Sequence, residues 1–330
     1  MNVLVTGATG FVGSVLCREL VDHGYTVRAL FRREEAKRKL DAVPVTFVEG
    51  DLIDGESLKR AAQGVSCIFH IGAVYREAKF ADSVYWDVNF EGTKRVFEAA
   101  ATVGAKVIHC STTGIMGSIE GAPADERHGY NPGDVYQESK LAAELYALEA
   151  FEKHGARGCI IRPTMIWGPG DTRLFKLFKG VATRTMPLIG DGLTRNHYVH
   201  VADLARGFRL AAESEVSQGK IYLVGGAEVV TLRQTMEAIA SFFGVTLLPY
   251  RIPVTPLLYL GDLCEMMCRP FGIEPPLHRR RVEFFIKSRA FNCSRARDEL
   301  GYHPQYTFKE EVAAVAQWYV DNGWLEKQKA

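Results

Sequence analysis

Tyr136 and Lys140 stand four residues apart in the helically patterned stretch Val135–His154, so a helix would carry both side chains on one face, a turn apart. A tyrosine hydroxyl, with an ordinary pKa of ~10, is a poor base near neutrality. A lysine cation one turn away stabilises phenolate, brings it into range for proton transfer, and can hold a ribose hydroxyl. Ser111 and Thr112 follow the apolar run Lys106–Cys110, and hydroxyls at the carboxyl edge of a parallel strand stand where ligands bind. A hydroxyl there can donate to a developing alkoxide or carbonyl oxygen. At the other end of the chain, Thr6-Gly7-Ala8-Thr9-Gly10-Phe11-Val12-Gly13 follows the first strand-like run and opens the first helical one. Gly7 permits the tight turn, Gly10 lets backbone approach a pyrophosphate, and Gly13 lets helix pack on strand. Backbone N–H groups and the helix dipole favour negative charge at such a turn, so the expected ligand is a dinucleotide.

An acid at the end of the second strand would bind the ribose 2′-hydroxyl and exclude a 2′-phosphate. The chain has Leu30-Phe31-Arg32-Arg33 instead. Arg32, with Arg33 beside it, could pair with a 2′-phosphate through a planar fork. The expected cofactor is therefore NADP or NAD, with NADP favoured. A solvated basic loop is the plainer alternative, since Glu34, Glu35, Lys37, Arg38 and Lys39 follow as a mixed run.

Positioning these groups requires a scaffold, and its rhythm is visible. Short Val/Ile-rich runs at Asn2–Thr6, Tyr25–Phe31, Val45–Val48, Ser66–Ile71, Lys106–Ser111 and Gly158–Arg162 alternate with helical patterns at Phe11–His23, Val84–Val103 and Val135–His154. That alternation predicts an α/β fold of Rossmann type, a doubly wound parallel sheet covered on both faces. After Arg162 the rhythm breaks at Gly168-Pro169-Gly170 and Gly190-Asp191-Gly192. A helix at Val201–Ala212 and a strand at Lys220–Val224 return to the first domain. The expected organisation is a dinucleotide domain of residues 1–162 and 197–224, and a smaller, discontinuous C-terminal substrate lobe of 163–196 and 225–330. Helices are expected in that lobe at Leu232–Phe243, Thr255–Cys268, Leu277–Lys287 and Lys309–Asn322.

The 330 residues carry 40 Lys plus Arg against 39 Asp plus Glu, a balance that argues against a nucleic-acid partner held by an overall basic field. The opening Met1-Asn2-Val3-Leu4-Val5 runs straight into a strand, so no secretory signal is expected and the cytoplasm is the expected compartment. Val254–Phe271 is interrupted by Asp262, Glu265 and Arg269, which predicts no spanning helix and leaves peripheral membrane contact open. Arg279-Arg280-Arg281 would suit phosphates or anionic headgroups, or simply a solvated face. Seven scattered cysteines without a CxxC pair predict neither a disulfide framework nor a metal site. Cys264 and Cys268 are expected in the core beside Met266 and Met267. His197 and His200 are expected at the lobe junction, and Trp167 and Phe175 in packing or along the cleft.

Taken in order, TGATGFVG at Thr6–Gly13, GDL at Gly50–Leu52, HIGA at His70–Ala73, DVNFEGT at Asp87–Thr93, STTGIMG at Ser111–Gly117, YQESK at Tyr136–Lys140, RPTMIWGPGD at Arg162–Asp171 and HVADLARG at His200–Gly207 resemble the extended short-chain dehydrogenase/reductase family over almost the whole length. Members include epimerase/dehydratases, 3β-hydroxysteroid dehydrogenases and dihydroflavonol reductases. The resemblance implies that Gly7, Thr9, Gly10, Phe11, Val12 and Gly13 hold the dinucleotide, that Asp51 and Leu52 flank its adenine, and that Ala73 passes along it. It implies further that Asn89 supports the water and lysine network, and that Pro163 and Thr164 lie by the carboxamide. Counting back from Gly117, Thr112 matches the family's catalytic Ser/Thr, with Ser111 the neighbouring alternative. It also implies a homodimer through Val84–Val103 and Val135–His154.

Two departures bear on the substrate. Met116 replaces a tyrosine frequent in sugar epimerases, and Asn196-His197 stand where sugar-nucleotide members often carry Arg-Asp, with Arg195 one place out of register. The stretch Leu277–Tyr302 is more similar to the sterol and dihydroflavonol branch. The resemblance therefore implies an oxidoreductase interconverting a secondary alcohol and a ketone on a small apolar ring substrate, steroid-like and 3β-hydroxy, with decarboxylation to follow if a carboxylate adjoins. A nucleotide-sugar epimerase or dehydratase with tightly bound NAD is the alternative.

Overall fold

The computed structural model describes residues 1–75, 80–268 and 285–327. Seven parallel strands form the main sheet: β1 (Asn2–Thr6), β2 (Thr26–Phe31), β3 (Thr46–Glu49), β4 (Cys67–His70), β5 (Lys106–Cys110), β6 (Gly158–Pro163) and β10 (Ile221–Val224), in the spatial order β10-β6-β5-β4-β1-β2-β3. Each is rich in residues that pack on both faces, as a sheet covered twice requires. One cover is α1 (Phe11–Asp22) and α7 (Val201–Glu213), whose Leu16, Leu20, Leu204 and Phe208 meet Val3, Val5 and Phe69. The other is α2 (Gly55–Ala62), α4 (Gly92–Val103) and α5 (Val135–Lys153), whose Leu58, Val96, Phe97 and Ala147 meet Leu4, Ile68 and Ile160. The expected α/β class and its doubly wound sheet are therefore observed.

Successive strands are added to one side of β1 as far as β3 and to its other side from β4 on, so the loops leaving the carboxyl ends of β1 and β4 meet at a topological switch point, where open α/β sheets bind ligands. A Cβ on Gly7 would stand 2.7 Å from Gly72 Cα, so the contact of those two loops requires glycine.

A separate hydrophobic cluster lies beyond β6. Trp167 on β7 (Met165–Trp167) and Tyr198 on β9 (Arg195–His200) pack with α6 (Phe175–Ala182), α8 (Leu232–Phe243) and the last helix (Phe308–Asp321). Strands β7 and β9 pair in parallel, and β11 (Val229–Thr231) pairs with β9 antiparallel. Strand β9 therefore runs through residues 196 and 197, where the sequence reading set a lobe boundary. A third, two-stranded pairing joins β8 (Leu188–Ile189) to β12 (Arg251–Ile252).

Two expectations need correction. The helix read as continuous over Val84–Val103 is α3 (Asp82–Tyr85), a π-helical turn Trp86–Glu91, and α4. Buried Asn89 lies in that π turn, and its side chain bonds the Val74 backbone across the sheet edge. Met266 and Met267 on α9 (Val254–Cys268) are 65% and 62% exposed, and Cys264 and Cys268 only half-buried. With Tyr259, Leu260 and Leu263 also exposed, this helix turns an apolar side outward, so it does not have the core role its composition suggests. The expected helix Leu277–Lys287 and the cluster Arg279-Arg280-Arg281 fall outside the described residues up to 284, and Phe285 and Ile286 form a turn. A short helix, α10 (Ser294–Leu300), and two further ones, α2 and α6, were not expected from patterning. The last helix, α11 (Phe308–Asp321), begins one residue before the expectation, at a capping box of Thr307 and Glu310. No helix among the described residues is long and apolar enough to cross a membrane.

Candidate functional site

Gly10 caps α1, and its N–H donates to the Gly7 carbonyl at 2.9 Å, closing the turn. A Cβ on Gly13 would lie 2.1 Å from that same carbonyl, so helix and turn approach as closely as glycine allows. Gly7 has φ +69°, in the left-handed region that suits glycine. A cradle that side chains would fill is what a pyrophosphate bound by backbone requires, so these residues fit a dinucleotide. Thr9 and Val12 belong to the same turn, and Phe11 begins α1 under Gly170, whose Cβ would be 3.7 Å from the Phe11 ring.

Arg32 follows β2, 61% exposed, with Nη1 3.6 Å from Asp51 Oδ2. Arg33 is exposed beside it, and Leu52 is buried against the Gly72 turn. Arg32 and Asp51 are thus brought together at the β2 and β3 ends, with the Ala73 loop leaving β4 on the far side of β1.

On α5, Asp134 caps the helix by accepting from Gln137 N at 2.9 Å, and Tyr136 and Lys140 face the sheet, both buried. Lys140 Nζ donates to the Cys110 carbonyl at 2.6 Å. Burial lowers the Lys140 pKa, against the pull of Cys110 and Glu144. Thr112 caps the short turn Thr113–Met116, with Oγ1 accepting from Gly114 N at 3.0 Å, which leaves its hydroxyl proton able to donate. Thr112 is half-buried, whereas Ser111 Oγ is sealed without a protein partner. Of the two, the accessible one is Thr112. Thr113 holds the Pro163 carbonyl at 3.0 Å, and Thr164 N donates to Val224 O while its own Oγ1 is buried and unpartnered.

A polar chain that the sequence reading did not draw runs beneath these groups. Gly72 N donates to Thr6 Oγ1, which lies 2.8 Å from His70 Nδ1; His70 Nε2 lies 3.0 Å from Thr93 Oγ1, which donates to Asn89 O at 2.6 Å. Asn89 Nδ2 then donates to Ser139 Oγ at 3.1 Å, and Ser139 to the Tyr136 carbonyl at 2.9 Å. The glycine turn and the Tyr136 helix are thereby joined through one buried network. Its members lay inside the quoted motifs TGATGFVG, HIGA, DVNFEGT and YQESK, where the i, i+4 spacing of Asn89 and Thr93 was the available signal. His197 and His200 stand at the strand β9 junction, His197 Nε2 2.9 Å from Gly226 O and His200 stacked on Tyr306 at 3.9 Å. Trp167 is fully buried, donating to Glu311 at 2.5 Å. The described residues contain no group of three or more His, Cys, Asp or Glu suited to a metal.

A parallel sheet with a glycine turn at its switch point and a Tyr/Lys pair on the following edge defines a nucleotide-dependent oxidoreductase class. The chain belongs to the NAD dependent epimerase/dehydratase family, whose model matches residues 3–225, and it is an enzyme of that extended short-chain dehydrogenase/reductase group. It is 31% identical to a 3-beta-hydroxysteroid dehydrogenase of Mycolicibacterium neoaurum, over 97% of this chain and 92% of that one. It is 30% identical to a 2-alkyl-3-oxoalkanoate reductase of Stenotrophomonas maltophilia, over 94% and 97%. Among solved structures, a dTDP-glucose 4,6-dehydratase from Streptomyces venezuelae, crystallised with NAD, matches with a TM-score of 0.77 at 26% identity, over 98% of each chain.

Proposed function

We propose that this enzyme interconverts a secondary alcohol and a ketone on an apolar, steroid-like ring substrate, using NADP or NAD. The observation that carries the reading is the tether of Lys140, one turn from Tyr136 at the start of α5, to the carboxyl end of β5, which Thr112 follows. When bound, a nicotinamide supplies the acceptor or donor for a hydride at the carbinol carbon. Tyr136 takes the hydroxyl proton in oxidation and returns it in reduction, with Lys140 supporting the phenolate and Thr112 donating to the same oxygen. Asn89 holds the π turn against Val74 and, through Ser139, the backbone of Tyr136, which makes it a positioning residue. Gly7, Thr9, Gly10, Phe11, Val12 and Gly13 receive the dinucleotide, Asp51, Leu52 and Ala73 its adenine side, and Pro163 and Thr164 its carboxamide.

The relatives named for a steroid dehydrogenase and an oxoalkanoate reductase both support a ketone or alcohol of apolar character. Asn196 and His197 are buried, so neither position offers a cation to a sugar nucleotide's diphosphate. We further place the lobes at 1–162 with 197–224 and at 163–196 with 225–330, in a cytoplasmic homodimer packed through α4 and α5, where Leu145 is exposed. Arg32 supports NADP, since its guanidinium is mostly in solvent and only loosely paired with Asp51. Turnover of a panel of sterols and dTDP- or UDP-sugars, followed by nicotinamide absorbance and product mass, tests the reaction. A net absorbance change with a sterol supports it, while sugar product formed without net change overturns it in favour of the epimerase or dehydratase alternative. Dissociation constants for NADPH and NADH test the cofactor, and tighter NADH binding removes the NADP preference.

A further inference from the structure

Arg173 lies in the loop between β7 and α6, and that loop rests on the glycine turn through Gly170 and Phe11. Its guanidinium is locked in place. Nε donates to Asp171 Oδ1 at 2.8 Å, Nη2 donates to Asp171 Oδ2 at 3.1 Å, and Nη2 also donates to Ile166 O at 2.6 Å. Asp171 is buried, accepts from Arg173 N as well, and has its carbonyl held by Tyr319 at 2.7 Å. The side chain of Arg173 remains 39% exposed, and Nη1 has no hydrogen-bond partner among the described residues. Its Cζ is 5.7 Å from the Phe11 ring centroid and 5.5 Å from that of Tyr75, which packs edge-on against Tyr136 at 5.1 Å. A single aromatic ring therefore separates this cation from Tyr136, and another residue of the same cluster begins the dinucleotide helix.

We propose that Arg173 is a preformed clamp for an oxyanion at the junction of the dinucleotide and the substrate, and this rests on the dinucleotide reading above. The buried Asp171 carboxylate takes the Nε–Nη2 edge and the Ile166 carbonyl the other Nη2 proton, which leaves the two protons of Nη1 as donors between aromatic walls, a placement suited to carboxylate or phosphate oxygen. Two sources carry such an oxygen: the pyrophosphate of the dinucleotide, and an acidic group next to the reacting carbon. A bare loop buttress would need the Asp171 and Ile166 bonds but not the Nη1 donors.

The test uses the whole enzyme with Arg173→Met, which keeps contact with the rings and loses the donors, and Arg173→Lys, which keeps the charge and loses the fork. Calorimetric titration with ADP-ribose reads the dinucleotide source. Titration with 3-hydroxydecanoate and with its methyl ester, in saturating NADH, reads the substrate source. A clamp on pyrophosphate weakens ADP-ribose about tenfold in Arg173→Met, and a clamp on substrate weakens the acid about tenfold while leaving the ester unmoved. Wild-type affinity for both anions in Arg173→Met overturns the clamp. Should Arg173→Met fail to fold, Arg173→Gln, which loses the charge but keeps a polar side chain, replaces it, and wild-type affinities for both anions there overturn the clamp equally. These are binding measurements, so a failure of the alcohol reading shows separately, as intact ADP-ribose binding without turnover of any sterol.

Discussion

Lys140 Nζ donates to the carbonyl of Cys110 at 2.6 Å, so the lysine of the α5 pair is tethered to the strand end that carries Ser111 and Thr112. This bond spends one of three ammonium protons on backbone and leaves two for the Tyr136 side and a ribose. It also explains how a fully buried cation is tolerated, since a charge removed from water needs hydrogen-bonded partners. The strand and the helix cannot shift apart without breaking it, so the spacing of hydroxyl, phenol and ammonium is a property of the fold.

Replacing Tyr136 with phenylalanine removes one hydroxyl from a buried ring. Thermal stability and dinucleotide binding are expected to stay near wild type, while kcat for alcohol oxidation falls about 10²–10⁴-fold. Lys140→Met is expected to reduce kcat and to weaken dinucleotide binding as well, because it removes both the phenolate support and a ribose donor. Steady-state kinetics beside a fluorescence titration of the reduced cofactor separates the two effects, and a Tyr136→Phe enzyme of unchanged kcat removes the proposed mechanism.

The two hydroxyls after β5 make opposite predictions. Thr112 Oγ1 is oriented by Gly114 N and is partly accessible, so Thr112→Val should cost about 10²-fold in kcat, as loss of an oxyanion donor does. Ser111 Oγ is sealed and unpartnered, so Ser111→Ala should leave kcat within a few-fold and slightly raise the melting temperature. The reverse ranking would transfer the donor role to Ser111.

At Gly13 a side chain has no room, since a Cβ would come within 2.1 Å of the Gly7 carbonyl and 2.9 Å of Ala8 Cα. Gly13→Val is expected to push α1 off the turn and abolish dinucleotide binding. Gly24→Ala, at an open surface position with nothing within 4 Å of its Cβ but φ +78°, is the control and should cost only about 1 kcal/mol of stability. Equal binding by Gly13→Val and wild type would mean that the turn does not hold the cofactor.

The legible part of this molecule was local. The strand runs, the glycine turn and the Tyr136 to Lys140 spacing depend on periodicity and on positions within one turn of each other, and the edges of β1, α1, α5 and α8 fall within a residue or so of expectation. The π turn at Trp86–Glu91 was not legible, because six residues are too few for their apolar spacing to separate π from α winding, and the bond of Asn89 to Val74 is a tertiary contact. Nor was Arg173 beside Phe11 and Tyr75, a contact made by chain segments about 100 residues or more apart. The outward face of α9 escaped for the opposite reason: its composition is that of a core helix, and nothing in the periodicity says that the apolar face lacks a cover.

His70 makes acid stability a test of the buried network. Thr6 Oγ1 receives the Gly72 N–H and so turns its proton toward Nδ1, while Nε2 faces Thr93, whose own proton goes to Asn89 O. This arrangement holds a neutral imidazole in one tautomer. Burial, with the charge of Lys140 nearby, lowers the His70 pKa to about 3, and the same causes, together with His70, push His109 well below its ordinary value. The unfolded chain has ordinary histidines that take up protons below about pH 6.5. In the window from about 6.5 down to about 3 the unfolded state thus binds more protons than the folded one, and stability falls as pH falls. Between pH 7 and pH 5, His70 alone should remove about 2 kcal/mol. His70→Gln is expected to be less stable than wild type at pH 7 and to lose visibly less on acidification, because one of the buried imidazoles, which include His109, His197 and His200 as well, is gone. Urea midpoints measured across this range check the slope, and parallel lines for the two proteins would show that His70 is not held neutral by the fold.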